Sequence, residues 1–265
     1  MARSKHSIID FYDQESPYVT EFRRLLHKIM NNESTDELKS LMLTSSMLAE
    51  GKSTVCSLLG VTAAVHKGVK TLIIDADLRR PAIAGFFKLL PDPGLVEILV
   101  EGYNPREAVQ KTSIDKLDII TAGRYCESPS EVFDAEAIGS LVEELKFYYD
   151  LILIDSPPLV PVSDPMLLAS KVDAVLLVVK AGETQKEVVQ RAVEIVDPRK
   201  NNVLGVVLNN MTQTLPFYYN YGYYHYEYVQ SPPKSKKKLS GRPDRTRRSK
   251  RRGSENKDAK PTRVE

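Results

Sequence analysis

Lys52 lies in Ser46-Met47-Leu48-Ala49-Glu50-Gly51-Lys52-Ser53-Thr54, between an apolar run at 40–45 and an apolar helical pattern at 58–65. Backbone N–H groups at such a strand-to-helix turn can hold anionic oxygens, the lysine can reach β- and γ-phosphates, and Ser53 can ligate magnesium. Ser46 stands where the generic phosphate-loop pattern has its first glycine. A turn that happens to carry a lysine is the bland alternative, and the flanking strand and helix weigh against it. Two further strand-like runs end in acid: Leu72-Ile73-Ile74 leads into Asp75-Ala76-Asp77-Leu78-Arg79, and 151–154 into Asp155-Ser156-Pro157-Pro158. Carboxylates at the rim of a core are costly without partners, and magnesium with a triphosphate would supply them. Strand-end capping would explain either acidic box alone; three matched strand ends favour one shared site for ATP and Mg2+.

Tyrosine is the other chemical signature. Seven of the 13 tyrosines, Tyr218, Tyr219, Tyr221, Tyr223, Tyr224, Tyr226 and Tyr228, crowd into 217–228, directly after the last predicted strand. Alternation at strand spacing would fit a core strand, but Asn220, Gly222, His225 and Glu227 are too polar for one. Phosphorylatable hydroxyls behind a phosphate-handling domain point to an enzyme that phosphorylates its own tail.

These residues need a scaffold. Short apolar runs rich in β-branched residues at 40–45, 70–75, 117–121, 150–155, 174–179 and 203–208 alternate with helical patterns. That order predicts an α/β fold of the P-loop NTPase kind, a mostly parallel sheet covered by helices on both faces, with ligands at the carboxyl ends of the strands. With 265 residues and 42% apolar content, one sizeable core is expected. No apolar run approaches the roughly 20 residues that cross a bilayer, and residues 1–30 lack an export signal core, so a cytoplasmic chain is expected. Two cysteines, Cys56 and Cys126, are too few for a disulfide framework, and the four histidines lack metal-ligand spacing. Residues 234–265 hold 14 Lys and Arg against four acids, a surplus of ten; because the whole chain is +2, residues 1–233 stand at −8. Such a tail cannot bury enough surface to offset its ordering entropy and reads as disordered. The expected domains are an arm at 1–35 with an oligomerisation helix, a catalytic domain at 36–216, the tyrosine cluster at 217–228 and the basic tail at 229–265.

Across roughly 16–228 the chain resembles the bacterial tyrosine kinases, or BY-kinases, through Ile73-Ile74-Asp75-Ala76-Asp77-Leu78-Arg79, Ile154-Asp155-Ser156-Pro157-Pro158 and the terminal tyrosines. The resemblance implies Lys52 on the phosphates, Ser53 and Asp155 on magnesium, and Asp75 and Asp77 completing the metal and nucleophile environment. Asp75 is expected to accept the tyrosine proton, since a phenol of pKa near 10 is a poor nucleophile at neutral pH. Residues 46–54, with Arg79, form the expected nucleotide contact set. Asn209 matches the position where related P-loop ATPases contact adenine, or else forms a turn with Asn210.

In Glu21-Phe22-Arg23-Arg24-Leu25-Leu26-His27, Glu21 and Arg24 match the family's subunit-pairing helix and His27 replaces its second arginine. A surface helix with a solvated charged face is the plain alternative. BY-kinases usually carry proline and glycine where this chain has Leu48 and Ala49. The resemblance further implies a homo-oligomer, ring-shaped in the family, with tyrosine transfer between neighbours. It also implies a separate membrane activator of the polysaccharide co-polymerase type, recruitment to the inner face of the cell membrane, and a role in capsule or exopolysaccharide export. The basic tail could hold an anionic membrane surface, while nucleic acid is the weaker expectation. The nearest rival is a partition or division-site ATPase, whose signature lysine would stand where this chain has Met47.

Overall fold

The computed structural model describes residues 7–31 and 38–210. The expected boundaries near 35, 216 and 228, the tyrosine cluster and the basic tail all lie outside these residues. Six strands form at the predicted places: β1 (Ser40–Ser45), β2 (Thr71–Asp75), β4 (Leu117–Ile120), β5 (Leu151–Asp155), β6 (Ala174–Lys180) and β7 (Val203–Asn209). A seventh, β3 (Gln110–Lys111), is antiparallel to β4, and two residues are too short to carry a period-two signal. The sheet order is β3-β4-β2-β5-β1-β6-β7, parallel throughout except at β3.

Every residue of β1, β2, β4 and β5 is buried, as a sheet covered on both faces requires. Alternation splits each strand between two cores. Leu72, Ile74, Ile152 and Ile154 enter one layer, beneath α7 (Ala135–Leu145) and α8 (Asp164–Ala169). Ile73, Leu151 and Leu153 enter the other, beneath α1 (Pro17–Met30) and α2 (Lys52–Thr62), which supply Leu26, Ile29, Val55, Cys56 and Leu59. Each such aliphatic side chain contributes about 1.5–3 kcal/mol of transfer free energy, enough in sum to hold the strand ends in register. Helices α3 (Ile83–Phe87), α4 (Leu95–Glu101), α5 (Pro105–Ala108), α6 (Pro129–Val132) and α9 (Lys186–Val196) complete the connections.

The edge strand departs from expectation. Val206 and Leu208 of β7 are 47% and 54% exposed, so this strand is not covered on both faces by the described residues. The chain from Ser7 is tied to α3 and α2: Ser7 Oγ donates to the Phe86 carbonyl (2.7 Å), and Tyr12 Oη to Thr62 Oγ1 (3.2 Å). Ser16 caps α1 by accepting from the Val19 amide, and Pro17 supplies a preset first-turn φ.

Candidate active site

Parallel pairing converts three distant segments into one site. Leu43 of β1 lies level with Asp155 of β5, and Asp75 of β2 is level with the same Asp155. The carboxyl ends of β1, β2 and β5 therefore converge, with Lys52 opening α2 just beyond β1.

The loop from Ser46 to Gly51 turns through two left-handed residues, Ala49 (φ 62°) and Gly51 (φ 88°). Gly51 is required twice over: its φ suits a residue without Cβ, and Asn209 Nδ2 occupies the space a Cβ would need. Met47, Leu48 and Ala49 face solvent, Thr54 is exposed, and Glu50 is buried. Glu50 accepts a hydrogen bond from the Met47 amide at 2.8 Å and a short one from the Thr184 hydroxyl, while its carbonyl accepts from Asn209 Nδ2 at 2.9 Å. The buried Ser46 Oγ has no hydrogen-bond partner among the described residues.

Lys52 reaches across this loop into the acid cluster. Its Nζ is 2.7 Å from Asp77 Oδ2, 3.6 Å from Asp155 Oδ1 and 3.2 Å from Ser53 Oγ. Burial works against the Lys52 charge, but Asp155 and Asp77 outweigh it and raise its pKa. Asp155 is fully buried, and neither of its carboxylate oxygens has a hydrogen-bond partner among the described residues. Burial pushes its pKa upward despite the neighbouring Lys52.

Asp75 is held more firmly. Its Oδ2 accepts from the backbone amides of Ala82 (3.1 Å) and Ile83 (3.0 Å) at the start of α3, and its Oδ1 from the Asp77 amide (3.3 Å). Burial, reinforced by the charge of Asp155, pushes its pKa up to about 8. The structure thus brings Lys52, Ser53, Asp75, Asp77 and Asp155 together.

Other predicted residues are engaged differently. The Arg79 guanidinium is bound to the buried Asp164 at the start of α8 (3.1 Å) and to Ser130 Oγ (2.6 Å). Asn209 packs against the phosphate loop itself. Glu21 and Arg24 form an ion pair with each other at 2.7 Å on the exposed side of α1. Three residues that support this arrangement escaped sequence reasoning: Thr184, Asp164 and Ser130. Nothing local marks them, because their partners lie 134, 85 and 51 residues away in the chain.

A parallel α/β sheet with a lysine-bearing loop on β1 and acidic boxes on its two nearest site-forming strands defines a P-loop nucleotide-handling protein. Comparison with known proteins narrows the class. A family model described as an AAA domain matches residues 49–206. The tyrosine-protein kinase YwqD of Bacillus subtilis (strain 168) is 31% identical over 223 residues, which cover 84% of this chain and 93% of that protein. The kinase domain of the Escherichia coli tyrosine kinase ETK superposes with a TM-score of 0.71 at 29% identity, covering 79% of this chain and 82% of that one. The cell division ATPase MinD of Pyrococcus furiosus shares the fold, with a TM-score of 0.56 at 24% identity over 64% of this chain and 71% of its own. The chain belongs to the bacterial tyrosine-protein kinase family. Tyrosine kinase activity, rather than the partition ATPase alternative, is the reading these relatives support. Among the described residues no helix is long and apolar enough to cross a membrane.

Proposed function

We propose that this protein transfers the γ-phosphoryl group of ATP to the tyrosines at 218–228, between neighbouring copies, and thereby regulates capsule or exopolysaccharide synthesis and export. The observation that carries the catalytic reading is the buried Asp155 carboxylate, which has no hydrogen-bond partner among the described residues and lies 3.6 Å from Lys52 Nζ. A fully buried carboxylate that shares one lysine with two other acids is costly in the free protein and gains compensation when a cation and a polyphosphate enter.

The donor set fits magnesium. Three carboxylates of the site face one lysine, and Ser53 offers a hydroxyl beside them. Among the described residues no three His, Cys, Asp or Glu side chains close into a metal cage. Magnesium is ordinarily held by one or two carboxylates together with water and substrate phosphates. Ser53 and Asp155 would hold it, with Asp77 beside them, and it would neutralise charge on the phosphates.

The chain's own groups then have separable tasks. Lys52 leaves Asp77 for the β- and γ-phosphates, and the amides of 46–54 cradle them. Asp75, oriented by the amides of Ala82 and Ile83, takes the proton of the tyrosine hydroxyl. The phenolic oxygen bonds to the γ-phosphorus as the bond to the bridging oxygen breaks, and ADP departs. Asn209 and Arg79 complete the expected nucleotide contacts, the latter by release from Asp164. Glu21 and Arg24 on α1 are the proposed contact with an adjacent copy. A membrane activator and the anionic leaflet, met by the basic tail, would bring the assembly to the inner face of the membrane.

Incubating the purified chain with Mg-ATP, with and without candidate membrane activators, and mapping phosphate by mass spectrometry tests the proposal. Phosphate on the 218–228 tyrosines is expected, and Lys52→Met should remove it. ATP hydrolysis with no tyrosine gaining mass would instead favour the partition-type ATPase.

A further inference from the structure

The phosphate loop carries a defect and a brace, and the two lie one residue apart. Ala49 occupies a left-handed conformation that favours glycine, so the loop holds a backbone shape its own sequence resists. Glu50, the next residue, turns its carboxylate inward and is 3% exposed. One oxygen takes the Met47 amide at 2.8 Å and closes the 47–50 turn upon itself; the other takes the Thr184 hydroxyl.

Thr184 belongs to the turn between β6 and α9, which has its own supports. Its amide donates to the Lys180 carbonyl at 3.1 Å, and the Ala181 amide donates to the Asn209 carbonyl at 2.9 Å. Asn209 in turn donates to the Glu50 carbonyl. The loop is therefore gripped from outside at residue 50, through both its side chain and its backbone, by two segments that are themselves bonded together.

We propose that Thr184 is a positioning residue for nucleotide binding. Acting through Glu50, it keeps the 47–50 turn in the shape whose remaining amides meet phosphate. The inference rests on the loop being a nucleotide cradle, as proposed above. A cradle set before its ligand arrives saves the cost of ordering it on binding, and a hydroxyl donating to a buried carboxylate is a charge-assisted bond of the stronger kind. Removing the hydroxyl leaves the Glu50 charge half satisfied, and the turn can relax by releasing the Met47 amide. The loss should fall mainly on nucleotide affinity, because Thr184 touches neither the acid cluster nor Lys52.

The test measures the dissociation constant of Mg-ADP by calorimetry, together with the KM for ATP and the initial rate of tyrosine phosphorylation at saturating ATP. Thr184→Val should weaken Mg-ADP binding and raise KM by about tenfold, equivalent to about 1.4 kcal/mol, while the saturated rate changes less than threefold. Thr184→Ser should retain wild-type affinity, and Thr184→Ala provides the same comparison if valine is not accommodated. In a Glu50→Ala background, Thr184→Val should have no further effect, since both substitutions break one linkage. Unchanged affinity in Thr184→Val and Thr184→Ala, or full additivity of Thr184→Val with Glu50→Ala, would overturn the inference while leaving the cradle intact. Failure of the wild-type chain to bind Mg-ADP would instead overturn the cradle reading.

Discussion

At the amino-terminal ends of the strands, Asp173 accepts hydrogen bonds from the Lys39 (3.0 Å) and Ser40 (2.8 Å) amides and from Lys146 Nζ (2.7 Å). Asp118 accepts from Lys111 Nζ and the Tyr149 hydroxyl, and Asp150 from the Lys70 amide. At the carboxyl ends, Asp155 has no hydrogen-bond partner among the described residues, and Asp75 and Asp77 share Lys52 with it as the nearby cation. The same residue type is thus pushed in opposite directions. Burial opposes the Asp173 charge, but its donors prevail and lower its pKa; burial raises those of Asp75 and Asp155. Carboxylates at one end hold the fold together, and those at the other are held ready by it, at a cost to the free protein.

Substituting one aspartate at each end should break this comparison if it is wrong. Asp155→Asn removes the charge without removing the side chain's bulk. Tyrosine phosphorylation should fall by about 100-fold or more, as expected when a group that stabilises the transferring phosphoryl is lost. The nucleotide-free protein should nonetheless gain about 1 kcal/mol, because a carboxylate whose burial opposes its charge is replaced by a neutral amide while Lys52 keeps its closer partner, Asp77, at 2.7 Å. Urea denaturation measures the gain, and a less stable variant would show that the attraction of Lys52 at 3.6 Å outweighs the cost of burying Asp155.

Asp173→Asn should do the reverse. It weakens two backbone hydrogen bonds and the pairing with Lys146, for a loss of about 1–2 kcal/mol. The phosphorylation rate per folded molecule should stay at the wild-type value, since Asp173 lies at the far end of β6 from the site. A clear loss of rate in the folded fraction would mean that the two ends are not independent.

The pH dependence of that loss sharpens the assignment. Asp173 has a folded pKa below its ordinary value, so the folded state binds fewer protons than the unfolded state over the interval between them. Its contribution is fully present above the unfolded carboxylate pKa of about 3.9 and disappears as pH falls through the lowered folded value. The stability gap between wild type and Asp173→Asn should therefore be constant from pH 5 to 8 and close in acid, by urea midpoints at each pH. A gap that persists below the folded pKa would point to the packing of Lys146 rather than to the charge.

The ends of β2 and β5 were legible because apolar β-branched runs stop abruptly at Asp75 and Asp155, as strands of a sheet covered on both faces do where they reach its rim. That much placed Lys52, Asp75, Asp77 and Asp155 near one another. What could not be read is how each is braced. The Arg79–Asp164 and Thr184–Glu50 pairs join residues whose own neighbourhoods look like ordinary turns, and they exist only because β6 and α8 pack beside β1. Asn209 illustrates the limit well: its place at a strand end was readable, but its hydrogen bond to the Glu50 carbonyl depends on the loop's exact path. The short β3 and the partly exposed β7 were obscured for a different reason, since edge strands are determined by what lies beside them rather than by their own pattern.

The smallest expected effect concerns the two left-handed positions of the phosphate loop. Gly51 meets its backbone requirement and must remain without Cβ because of Asn209, whereas Ala49 adopts φ 62° with its side chain in solvent. A non-glycine residue in this region costs roughly 1–2 kcal/mol, and glycine returns part of that gain through the greater freedom of the unfolded chain, about 0.4–1 kcal/mol. Ala49→Gly should therefore stabilise the protein by up to about 1 kcal/mol, read as a rise in the urea midpoint with unchanged slope. No buried contact is lost, so the sign depends on backbone conformation alone. An unchanged or lowered midpoint would show that residue 49 carries no strain, and the need for the Glu50 brace would then have to come from the loop's amides rather than from its left-handed turn.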